Sequence, residues 1–147
     1  MSDLLAEVKQ RFSRYLEQNN NRKTHERFAI LEEIYTNQTH FDAETLYVHM
    51  KKNSYRVSRA TVYNTIDVLL ECKLIQKHQF GNNVALFEKT YGVPPHHHLI
   101  CTECQKIVEF EDPIVDQISL KITQTNHFSL ENTRFNLFGL CQECRTS

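Results

Sequence analysis

The sequence predicts an α+β protein in two parts: a helical part that ends in a two-stranded hairpin, and a smaller part that mixes strands with one helix. Three observations carry this. Apolar residues recur at helical spacing in four segments up to residue 73, the period shortens to that of strands beyond it, and Tyr-Gly-Val-Pro-Pro at 91–95 breaks the pattern. At 147 residues the chain suits one ordinary domain or two small ones.

Leu4, Leu5, Val8, Phe12, Tyr15 and Leu16 make one amphipathic helix, which runs into the polar break QNNNRK. Thr24 can cap a second helix whose stripe is Phe28, Leu31, Ile34 and Tyr35. A third begins at Asp42, with Leu46 and Met50 four apart, and a fourth begins at Ser58, with Val62, Ile66, Leu69 and Leu70 turned inward. LIQKHQF and VALFEKT then read as strands around a Gly81-Asn82-Asn83 turn. Three helices followed by a two-stranded wing describe a winged helix-turn-helix, expected over residues 1–90. The two prolines favour an extended linker at 91–95.

Over 96–147, HHHLIC and KIVEFE read as strands, Asp112-Pro113 starts a helix carrying Val115, Ile118 and Ile122, and TRFNLFGLC reads as a third strand. A domain of about 50 residues is marginal without a staple.

No run approaches the roughly 18 to 20 apolar residues of a membrane span, and the first residues are amphipathic rather than a signal segment, so a cytoplasmic protein is expected. Net charge is only -1, yet it is unevenly placed: residues 1–87 hold 12 Lys/Arg against 10 Asp/Glu, and residues 88–147 hold 5 against 8. That sign suits a first half facing nucleic acid and a second half binding cations.

Four of the five cysteines form two C-x-x-C pairs, Cys101/Cys104 and Cys141/Cys144. Four thiolates satisfy tetrahedral Zn2+ and leave no open position, which is the pattern of a structural site; a redox dithiol and disulfides are the alternatives. Such a site would pin the last strand to the first hairpin of the second half. Cys72 reads as a core residue.

In PPHHHLICTECQ, strand geometry puts His96 and His98 on one face and His97 on the other. A hairpin would bring Glu109 alongside the first two, and imidazole with carboxylate suits Fe2+, Mn2+, Zn2+ or Co2+. The other reading is a solvated polar triplet at a domain edge. A catalytic metal would need an open position, and the sequence has no evident substrate-pocket motif to go with one.

If 58–73 is a recognition helix, its first turns present Ser58, Arg59, Thr61, Tyr63 and Asn64, residue types that read base edges or hold phosphates. Arg22, Lys23 and Arg27, around the start of the second helix, are candidates for the DNA backbone or minor groove. A winged helix also serves as a plain protein-interaction module, so fold alone does not establish DNA binding.

ATVYNTIDVLLE, then HHLICTECQKIVEF, then a terminal CQEC, in this order, resemble the ferric uptake regulator (Fur) family of metal-dependent repressors, from RKTHER at 22–27 through Cys144. The resemblance implies a homodimer with a C-terminal α/β dimerisation domain that binds A/T-rich palindromic operators on double-stranded DNA when a regulatory metal is bound. It implies no enzyme activity, membrane partner or small-molecule substrate. It assigns the four paired cysteines to one structural Zn2+ per protomer, and selects His40, Glu88, His96, His98 and Glu109 for the regulatory site. The ion expected there is Fe2+, with Mn2+, Co2+ or Zn2+ as substitutes.

Glutamates at 88 and 109 lean toward iron sensing; a peroxide-, zinc- or manganese-sensing member is the alternative. The positions of a further site found in many relatives hold Pro95, His97, Asp116 and Thr133. Only His97 and Asp116 among these could ligate, so that site is expected to be absent or weak. Asn64 stands where relatives commonly carry Arg, which puts the usual operator sequence in question.

Overall fold

Helix starts fall where a side chain can satisfy the first free backbone N–H groups. Thr24 Oγ1 accepts from the Arg27 amide at 3.3 Å ahead of α2 (His25–Asn37), and Asp42 accepts from Thr45 at 2.8 Å ahead of α3 (Ala43–Lys52). Ser58 accepts from Thr61 at 3.0 Å ahead of α4 (Arg59–Glu71). These three follow α1 (Ser2–Gln18), and the hairpin strands β1 (Ile75–His78) and β2 (Leu86–Lys89) follow them. The computed structural model describes residues 2–79, 84–94 and 96–146, so the expected Gly81-Asn82-Asn83 turn lies outside the described residues.

The chain divides into two compact units, Met1–Val93 and Pro94–Ser147. In the first, α1 to α4 and the β1–β2 wing enclose one core. Val8, Phe12, Leu16, Ile30, Leu31, Ile34, Leu46, Met50, Val62 and Leu69 are all essentially inaccessible there. Leu70, expected inward, is half-buried.

Phe41 and Phe87 exchange backbone hydrogen bonds at 3.0 and 2.7 Å, which stitches the segment before α3 to the edge of the wing. Tyr35 closes the other side: its hydroxyl donates to the Leu74 carbonyl at 2.5 Å and accepts from the Tyr91 amide at 3.1 Å.

The second unit is a three-stranded sheet ordered β4-β3-β5, built from β3 (His97–Cys101), β4 (Ile107–Phe110) and β5 (Asn136–Gly139). β3 pairs antiparallel with β4 and parallel with β5. A parallel partner needs a long crossover, and α5 (Pro113–Thr125), capped by Asp112, lies within it. A one-turn helix, α6 (Gln142–Arg145), ends the unit; it was not foreseen.

Among the described residues, buried apolar side chains are few here: Ile100, Cys101 and Val115. Ile114, Ile118 and Ile122 of α5 and Leu137, Phe138 and Leu140 near β5 are each at least 44% exposed; of the apolar face expected for this helix, Val115 is buried and Ile118 and Ile122 are not.

Burial pushes the Tyr35 phenol from 10 up to about 12. A raised folded-state value means the contribution is fully present below pH 10 and is lost as pH rises through about 12. Tyr35→Phe should cost about 1–3 kcal/mol at neutral pH, because the Tyr91 amide loses the hydroxyl it donates to and the Leu74 carbonyl keeps only the Thr90 amide. It should also remove this alkaline fall in stability, as read by urea unfolding at a series of pH values.

Candidate metal centres and nucleic-acid face

The two cysteine pairs reach one place by two different local devices. Cys101 ends β3, and the chain turns back at once: Gln105 donates its amide to the Cys101 carbonyl at 3.1 Å and takes a left-handed φ of 70°. That turn carries Cys104 back toward the strand end. On the other side Cys141 caps α6, so Cys144 sits three residues on, one helical turn above it.

The β3–β5 pairing joins the two devices, with Thr102 donating to the Gly139 carbonyl at 2.9 Å. The four sulfurs lie within 4.8 Å of one another, with Cys104 and Cys141 Sγ 3.7 Å apart.

Electrostatics fits a cation. Backbone N–H groups aimed at Cys101, those of Cys104 foremost and then Cys141, draw its thiol down to about 6. The Cys141 amide lies 3.4 Å from Cys101 Sγ. Cys144 is pushed strongly upward, chiefly by its contact with the Cys141 thiol, and Cys141 is raised as well. The Cys101 thiolate forms readily while Cys141 and Cys144 resist, because like charges this close repel unless a cation offsets them. Four sulfur donors at this spacing suit tetrahedral Zn2+.

In the first unit the Phe41–Phe87 bridge sets His40 beside Glu88. His40 Nε2 is 2.9 Å from one Glu88 oxygen, and His78 Nε2 is 2.6 Å from the other. Gln76 Nε2 donates to that second oxygen at 2.6 Å. Glu88 and His78 are 3% and 5% exposed.

In the second unit the strand parity places His96 and His98 together, ring centroids 4.9 Å apart, although β3 starts only at His97. Glu109 is the cross-strand partner of His98, and its carboxylate lies 3.8 Å from His96 Nε2. His96, His98 and Glu109 make an imidazole–carboxylate donor set suited to first-row divalent ions.

His97 faces the other way. Its ring packs against Phe110 and Phe135 at 5.7 and 6.1 Å, and its buried Nδ1 has no hydrogen-bond partner. Asp116 is exposed on α5, Thr133 carries no ligand of metal-binding type, and Pro95 lies outside the described residues. Among the described residues, neither His97 nor Asp116 belongs to a cluster of three or more metal-type donors.

On the recognition helix α4, Tyr63 and Asn64 are exposed. Ser58 and Thr61 turn their hydroxyls to each other at 2.8 Å, engaged in the cap. Arg59 is held in a two-bond fork by Glu44 of α3, at 2.7 and 2.9 Å, and stacks over Tyr47 at 4.6 Å. That fork holds the Glu44 carboxyl below its ordinary range. Arg27 donates to the Arg22 carbonyl at 2.9 Å, while Arg22 and Lys23 are exposed.

Gln76, His78 and Glu44 were not singled out from the sequence. The signal for the first two was the alternation of LIQKHQF, which puts Gln76 and His78 on one strand face. Cys72 is the C-cap of α4, half-buried, with its thiol raised by burial.

A winged helix, a four-thiol cluster and imidazole–carboxylate donors define a class, the metal-responsive DNA-binding regulators. Residues 18–138 match the model of the Ferric uptake regulator family, and the chain belongs to that family. It is 33% identical over 144 residues to the ferric uptake regulation protein of Campylobacter jejuni, a match covering 97% of this chain and 89% of the relative. It is 32% identical over 123 residues to the peroxide operon regulator of Bacillus subtilis, covering 84% of this chain and 83% of that one.

The Helicobacter pylori ferric uptake regulator, whose structure reveals three functional metal-binding sites, is similar with a TM-score of 0.83. At 22% identity, over 97% of this chain and 95% of that one, the likeness establishes the fold. The Pseudomonas aeruginosa regulator solved with manganese gives 0.76 at 25% identity, over 86% and 95%.

Cys101→Ser should leave the first unit folded and unfold the second, because structural zinc binding and folding are coupled. Hydrogen exchange would show protection lost over 97–139 and kept over 30–69. Full protection over 97–139 would contradict the role given to the cluster.

Proposed function

We propose that this chain is an iron-responsive transcriptional repressor, acting in the cytoplasm as a homodimer on A/T-rich palindromic operators, with no enzymatic activity. The observation that carries the reading is the composition of the two donor sets. His40 with Glu88 in one unit, and His96, His98 and Glu109 in the other, supply three imidazoles and two glutamates, with no aspartate among them.

We assign these five residues to one regulatory Fe2+, which Mn2+, Co2+ or Zn2+ can replace. We assign Cys101, Cys104, Cys141 and Cys144 to one structural Zn2+. A divalent ion, when bound, supplies a cross-link of fixed geometry among the five donors. Drawing from both sides of residues 91–95, they would hold that segment at one angle, so that the two recognition helices of a dimer meet successive major grooves.

The exposed apolar side chains of α5 and β5 support a second copy as partner, since large apolar side chains left in water mark interaction surfaces. Tyr63 and Asn64 are the base-reading candidates on α4; we assign phosphate contacts to Arg22 and to Lys23, which is paired with Glu17 in the free chain. A peroxide-sensing role is the second reading, favoured by the similarity to the peroxide operon regulator.

DNA-binding anisotropy at fixed salt, anaerobically, on protein keeping its cysteine-bound zinc, tests the reading. Fe2+ or Mn2+ should tighten binding to an A/T-rich palindrome over a random duplex, and affinity should fall steeply with salt. His96→Ala should remain a folded dimer and lose the metal response; a full response would sink the regulatory assignment. Ile118→Glu with Ile122→Glu should sediment as a monomer. Metal analysis should find two tightly bound ions per protomer, and a third would overturn the expectation drawn from His97, Asp116 and Thr133.

A further inference from the structure

The Glu88 carboxylate is gripped from behind by residues with no assigned role. Gln76 is its direct cross-strand partner in the wing, and His78, two residues further along β1, lies on the same face of the ladder. Both reach one oxygen, Oε1, at 2.6 Å, while His40 lies 2.9 Å from the other, Oε2.

We propose that His78, aided by Gln76, is a positioning residue that clamps Oε1 of Glu88 and so presents Oε2 as a single, fixed donor to the regulatory ion. This rests on the reading of Glu88 as a metal ligand.

Three features carry it. Glu88 is almost completely buried, so a carboxylate without donors there would be costly, and these are the donors that offset its desolvation. The two histidines approach different oxygens, which separates the duties: His40, itself assigned to the ion, lies against Oε2, and His78 holds Oε1. His78 is itself buried on a strand, so its ring has little freedom to release the carboxylate.

A carboxylate left unclamped can rotate between one-oxygen and two-oxygen coordination. One pinned at Oε1 cannot, and partners that orient a ligand in this way typically contribute tenfold to a hundredfold in metal affinity.

The test is Co2+ binding to the full chain with its cysteine-bound zinc retained, measured by competition with a chromophoric chelator together with the visible Co2+ spectrum. His78→Leu should weaken Co2+ about tenfold to a hundredfold and alter the spectrum, while the protein still melts cooperatively. His78→Gln, which keeps a donor of similar reach, should recover most of the affinity and the parent spectrum, which a purely structural role would not require.

In a Glu88→Ala background, His78→Leu should cost nothing further, because His78 acts through Glu88. If Glu88→Ala binds Co2+ as tightly as the parent, the reading of Glu88 as a ligand fails and the clamp with it. If Glu88→Ala weakens binding but His78→Leu does not, or if the two losses add in full, the clamp alone is overturned.

Discussion

The crowding of four sulfurs at the end of one strand is the constraint on which the second unit depends. Three buried apolar residues among those described do not form a core capable of offsetting the chain entropy of about 50 residues. What holds the strands in register is the meeting of a tight turn after β3 with a single helical turn after β5, and the sulfurs stand where these meet. Their thiol protons show the tension: one leaves easily under the pull of backbone N–H groups, and others are held back by their neighbours. A divalent cation resolves that tension by stabilising all four thiolates together.

The first unit is organised on the opposite principle. Its core of inaccessible aliphatic and aromatic side chains needs no ion. Its buried carboxylates are Glu33 and Glu88, and Glu88 is approached from both sides by imidazole. The Phe41–Phe87 bridge supplies the frame for it, and that frame belongs to the hydrophobic core. A core that packs without help can hold a buried polar group at its edge in a fixed orientation.

Much of this was legible in the sequence because the chemistry is local. Thr24, Asp42, Ser58 and Asp112 each mark a helix start, since an N-cap needs only a side-chain oxygen and the next two or three amides. The parity of a strand was enough to separate His97 from His96 and His98 and to set Glu109 opposite the pair. The winged-helix order of elements and the α+β class followed from periodicity alone.

Other features were hidden because they depend on contacts between elements. The His78 and Gln76 grip on Glu88 needs the wing register, and the fork on Arg59 spans fifteen residues between α3 and α4. His40 and Glu88 came into view only through the family resemblance, for no spacing rule links residue 40 to residue 88. The helix α6 is four residues long, below what a periodic pattern can mark.

The parallel pairing of β3 with β5 has a consequence for how the second unit comes to exist. The strand contact and the sulfur cluster close the same long loop, so their entropic costs overlap, and forming either makes the other cheap. Such a unit has no stable half-built form: a nascent chain that has emerged only as far as Phe135 carries two of its four sulfurs and two of its three strands. Assembly must wait for residues 136–144 to leave the ribosome, and contacts of such high sequence separation form slowly. The winged helix, complete by Val93, is free to fold long before its other half can.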